Sequence, residues 1–114
     1  MPYDPALERR IRRFFDARGI KYEAKHMMGG LCFMVNGKMC VGVEKNRLMA
    51  RIDPADEADA LKMRGCKPMD FTGRPMKGFV FVEPPGTHGD AQLSRWLNLA
   101  LEFNPKARAS KKRR

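Results

Sequence analysis

Few side chains in this sequence have the type to carry chemistry. They are three thiols (Cys32, Cys40 and Cys66), two imidazoles (His26 and His88), one adjacent acid pair (Asp56-Glu57) and one glycine pair (Gly29-Gly30). A structural zinc site takes four ligands, usually from paired spacings such as C-x-x-C, and no such spacing joins the thiols. A nucleophilic thiol needs a setting that lowers its pKa, such as a helix N-terminus. Cys32 and Cys40 instead fall inside strand-like patterns, where they are expected to serve as small apolar fillers. The histidines lie far apart in turn-like settings, and neither G-x-S-x-G nor H-E-x-x-H occurs. Asp56-Glu57 falls in the first turn of a predicted helix, where the helix dipole accounts for it. Gly29-Gly30 lacks the G-x-x-x-x-G-K-[ST] context of a phosphate loop and reads as a bend or bulge. The expectation is a chain that is not an enzyme, with no catalytic, cofactor-binding or metal-ligating residue.

The elements that position these residues follow from periodicity. "DPALERRIRRFFDARG" reads as a helix: Asp4 caps it, Pro5 suits its first position and Gly19 its exit. Leu7, Ile11, Phe14 and Phe15 recur at helical spacing and form its core stripe, leaving the arginines opposite. Leu31 to Val35, Met39 to Val43 and Leu48 to Ile52 alternate with period two, and Asn36-Gly37 and Lys45-Asn46 mark turns between them. For the first hairpin, a three-residue loop with Gly37 left-handed is expected. It pairs Met34 with Lys38, Phe33 with Met39 and Cys32 with Cys40, which puts two thiols opposite each other on the face away from Phe33. "DPADEADALKMRG" reads as a second helix ended by Gly65, and "CKPMDF" as a short edge strand broken by Pro68. "FVFVE" is a strand, and a last helix begins near Thr87 or Asp90 with Leu93, Trp96, Leu97, Ala100 and Leu101 as its stripe.

The expected fold is therefore α+β and two-layered: a five-stranded antiparallel sheet with helices on one face, in the order α-β-β-β-α-β-β-α. The uncovered face would carry Cys32, Met34, Cys40, Gly42 and Met49 and would be exposed, which points to a protein partner or a homodimer contact. With 114 residues, 43% of them apolar, the chain suits one domain over residues 1–104. Residues 105–114, "PKARASKKRR", carry six of the cations behind a net charge of +10 and are expected to be a disordered basic tail. Lys106, Arg108, Lys111, Lys112, Arg113 and Arg114 could make weak, salt-sensitive nucleic-acid contacts, the alternative to a protein-contact function. No apolar run is long enough to cross a membrane and no secretory signal opens the chain, so a cytoplasmic location is expected.

"MMGGLCFMVNGKMCVGV", "RLMARID", the loop "FTGRPMKGFVFVEP" and the Trp-containing last helix resemble the N-terminal domain of the TfoX/Sxy family, regulators of natural competence. Met28-Gly29-Gly30, Asn36-Gly37-Lys38 and Arg74-Pro75-Met76 carry the resemblance, which spans about residues 22–103. It implies the α+β order given above and a non-enzymatic role: the best-known members help a cyclic-AMP-responsive activator at competence promoters. Those regulators carry a second, helical domain, where this sequence has a basic tail, and often an aromatic where Met28 stands. On this reading a transcription activator is the expected kind of partner. Met28, Gly29, Gly30, Met34, Arg74 and Met76 are the expected protein-contact residues.

Overall fold

The Asp4 carboxylate accepts the Ala6 N–H at 2.9 Å and starts helix α1, Pro5–Ala17, in the way the Asp-Pro pair predicts. Its stripe of Leu7, Ile11, Phe14 and Phe15 is buried, and Gly19 leaves the helix at φ +65°. These features belong to a computed structural model of the chain, which describes residues 3–27, 29–69 and 77–107.

Among the described residues six strands follow, not five. They are β1 (Glu23–Met27), β2 (Gly30–Val35), β3 (Lys38–Glu44), β4 (Arg47–Arg51), β5 (Cys66–Pro68) and β6 (Phe79–Val82). The unexpected one is β1. "EAKHM" has too few apolar residues to alternate visibly, because as an edge strand it leaves most of its side chains exposed or half-buried. The sheet is antiparallel throughout, in the order β1-β2-β3-β4-β6-β5.

The first hairpin also departs from expectation. Asn36 (φ +56°) and Gly37 (φ +75°) form a two-residue turn, so Val35 pairs with Lys38 and Met34 with Met39. The register then shifts between Phe33 and Met34, Phe33 pairs with Val41, and Cys40 is the extra residue of a β-bulge. A two-residue turn without the bulge would set Phe33 against Cys40 and mix the two faces. The bulge absorbs the mismatch. Met39 consequently lies with Met34 rather than with Phe33, and Cys40 lies on the opposite face from Cys32. The expected pair of facing thiols does not exist.

Helices lie on one side of the sheet. Ile11, Phe15, Ala60, Trp96 and Leu97 share one core with Phe33, Val41, Val43, Leu48, Ala50, Val80 and Val82. The second predicted helix is much shorter than its sequence pattern. Asp53 caps a 3-10 turn, Pro54–Asp56, which leads into a single α-helical turn, α2, Glu57–Ala60. Only Ala60 of that turn is buried, so little apolar surface rewards a longer helix. The last helix, α3, runs Asp90–Phe103, and the Gly89 N–H at its start donates to Gln92 Oε1 at 2.8 Å.

The opposite sheet face is not exposed as expected. Cys32, Met49 and Met69 are fully buried, Met39 and Phe81 nearly so, and Met34 is only 7% exposed. The expectation failed because alternation shows which side a residue takes, not whether that side meets water.

Candidate functional site

All three thiols are free, and desolvation makes each a poor nucleophile. Burial pushes Cys32 up to about 11, Cys40 up to about 12 and Cys66 up to about 11. At neutral pH they are thiols, not thiolates. Among the described residues, no group of three or more His, Cys, Asp and Glu comes together as a metal-binding set.

Of the residues expected to contact a partner, Gly29 is exposed at φ +77°, whereas Gly30 and Met34 are buried. Gly30 has a structural reason: a Cβ there would stand 1.9 Å from the Val43 carbonyl oxygen, so only glycine lets β2 and β3 approach so closely. Met28, Arg74 and Met76 lie outside the described residues. The Asn36-Gly37-Lys38 turn is likewise tied into the fold. Asn36 Nδ2 donates to Asn104 Oδ1 at 2.9 Å, the buried Asn104 donates to the Val35 carbonyl at 3.0 Å, and Lys38 Nζ donates to the Ala107 carbonyl at 3.0 Å. This clamp fastens the hairpin to the end of α3.

Of the tail cations, Lys106 is exposed in the turn Asn104–Lys106, after which Ala107 is buried. Arg108, Lys111, Lys112, Arg113 and Arg114 lie outside the described residues. Among the described residues no helix is long and apolar enough to cross a membrane.

A pair of adjoining hollows lies elsewhere, at the start of α3. Met63, Arg64, Gly86, Ala91, Gln92, Arg95 and Trp96 line a hollow of about 390 Å³. A second hollow of about 380 Å³, lined by Arg64, Pro84, Pro85, His88 and Gln92, adjoins it. Backbone contacts set this shape. The Glu83 N–H donates to the Gly65 carbonyl at 2.8 Å, and a Cβ on Gly86 would stand 2.2 Å from the Arg64 carbonyl oxygen. Gln92 spends its amide within the wall, accepting from Gly89 and donating to the Pro85 carbonyl at 3.2 Å. Arg64 and Arg95 are exposed on the rim, while Trp96, 1% exposed, lies beneath.

Sequence reasoning did not find this cleft. Arg64 reads as the charge of a helix's last turn and Trp96 as part of a core stripe, and nothing local announces that the two meet. Their only signal is the turn chemistry of Gly65 and Pro84-Pro85-Gly86, which brings the chain back to α3.

The antiparallel sheet with helices on one side, and the hairpin clamped to the last helix, define a small α+β domain. The chain belongs to the TfoX N-terminal domain family, whose model matches residues 13–104. No curated protein and no solved structure matches it.

Proposed function

We propose that this protein is a non-enzymatic regulatory module that acts through contacts with another protein, as the competence regulators of its family do. Family membership over residues 13–104 carries this reading. The protonated thiols, Cys32 and Cys40 buried and Cys66 half-buried, support it, since they offer no ready nucleophile, and three free cysteines suit a reducing, cytoplasmic setting. The methionine-rich sheet face is already buried, which favours a contact surface elsewhere. A transcription activator of the cyclic-AMP-responsive kind is the partner class the family implies.

The test has two arms in cells that encode the protein. Deletion and overexpression should change a defined set of transcripts in opposite directions, and the purified chain should bind the cyclic-AMP-responsive activator of the same cells. A transcriptome indifferent to both manipulations, together with no binding to the activator, overturns the reading.

A further inference from the structure

The cleft at the start of α3 has three properties that together specify an occupant. The first is shape. Its two hollows share Arg64 and Gln92, and together they are large enough for several side chains rather than one small anion. The second is its floor: Met63 and Ala91 offer apolar surface beside the exposed Arg64 and Arg95, with Trp96 packed directly beneath. The third is charge. Among the described residues neither Arg64 nor Arg95 makes an ion pair, while three acids of neighbouring elements are engaged elsewhere. Asp90 pairs with Arg10 of α1 at 3.3 Å, Glu83 with Lys67 at 3.5 Å, and Glu57 accepts the Gly78 N–H at 2.9 Å.

We propose that this cleft binds an acidic peptide segment of a partner protein, its carboxylates meeting Arg64 and Arg95 and an apolar side chain resting on Met63 and Ala91. The proposal rests on the reading of the chain as a protein-contact module and names the chemistry of that contact. Guanidinium groups accept carboxylates through paired N–H donors, which gives each rim an oriented contact as well as a charge. A nucleic acid fits less well, because Trp96 lies too deep to offer its face to a base and only two cations flank the groove. The cleft walls are tied by the Glu83–Gly65 hydrogen bond and the Gln92 bridge, so a peptide would enter a preformed site.

The test uses the full chain and a short fluorescein-labelled peptide that alternates aspartate with leucine. Fluorescence anisotropy should show saturable binding. Trp96 is the only tryptophan in the sequence, so its emission should change along the same curve. The double variant R64E/R95E should weaken binding by at least about tenfold, with an unchanged circular dichroism spectrum and melting temperature. R64Q/R95Q supplies the milder version if charge reversal disturbs folding. The variant K21E/K25E, which reverses two exposed cations at and just before β1, the sheet edge opposite β5 and β6, should bind as the wild type does. Equal binding of a control peptide that alternates asparagine with leucine, equal weakening by K21E/K25E, or saturation without a Trp96 response overturns the proposal. So does oligothymidylate binding that depends on Arg64 and Arg95 and displaces the peptide, since that outcome makes the cleft a nucleic-acid site. The two readings fail separately. A chain that binds the peptide but alters no transcript loses the regulatory reading alone, whereas R64E/R95E that loses the peptide yet keeps the transcript response removes the cleft from function.

Discussion

The two faces of the sheet are drawn from alternate residues of the same strands, yet they are chemically unlike. Toward the helices stand Phe33, Val35, Val41, Val43, Leu48 and Val82; on the opposite side stand Cys32, Met34, Met39, Met49, Met69 and Phe81. Branched and aromatic side chains have few rotamers, and they suit the helix face because α1 and α3 present regular ridges of Ile11, Phe15, Trp96 and Leu97. Thioethers bend to fill irregular space, which suits the face without helices. At its margin Arg47 covers the Phe81 ring at 3.7 Å from the centroid while also bonding the nearly buried Glu44. The helix face is thus a fitted core and the other an adaptable one, and substitutions on the two sides should differ accordingly.

The sharpest contrast comes from Phe33, fully buried where its ring meets Phe15 and Tyr22 edge-on. Phe33→Ala should cost about 4 kcal/mol of unfolding free energy in urea titrations, the largest effect expected here. A loss below about 1 kcal/mol would mean that the helix face repacks as readily as the methionine face.

Gly30→Ala follows at about 3 kcal/mol, because the added Cβ would meet a backbone carbonyl rather than a flexible side chain. The atom in the way is the Val43 oxygen, at 1.9 Å. The two strands must part for both faces, so this substitution should raise the sensitivity of each. Melting curves of G30A alone and combined with a conservative change on either face measure that coupling.

Asn104→Ala should cost about 2 kcal/mol. It removes the buried amide that donates to the Val35 carbonyl and accepts from Asn36, leaving both ends of the hairpin clamp without a partner. Hydrogen exchange should then rise first in residues 34–39. Protection unchanged there would show that the turn holds itself without α3.

How much of this was readable in advance depends on the range of the cause. The Asp4 cap, the Asn36-Gly37 turn, the alternation in β2, β3 and β4 and the family likeness are local, and the sequence displays them. Three features are not local. The bulge at Cys40 leaves no mark of its own, since it is defined by the partner strand's register. β1 is an edge strand whose polar residues conceal its pairing with β2. The α3 cleft joins Arg64, Gly86 and Arg95 from three segments, and only the completed fold brings them together.

The thiols divide between the faces, Cys40 and Cys66 toward the helices and Cys32 away, so alkaline pH probes both at once. Each has a folded pKa above the ordinary value of 9, raised by desolvation, with Cys40 highest at about 12. The unfolded chain therefore loses these protons first. Stability held in full below pH 9 should decline as pH rises from 9 toward 12. Cys40→Ala should flatten the decline more than Cys32→Ala, in melting temperatures followed across that range. Equal flattening would show that the bulge does not seal Cys40 more completely than the methionine cluster seals Cys32.

The smallest effect is expected from Met49→Leu. Met49 is fully buried in the methionine cluster, and its Cε lies where a Cβ on Gly42 would come within 2.8 Å, so the thioether threads the space that glycine leaves open. Leucine keeps the volume but branches at Cγ and ends one atom sooner, so it cannot follow that path. Flexible methionine neighbours should take up the difference, holding the loss to about 1 kcal/mol. If M49L instead costs as much as Phe33→Ala, the methionine face is as closely fitted as the helix face. Its thioethers would then be there for shape, not for tolerance.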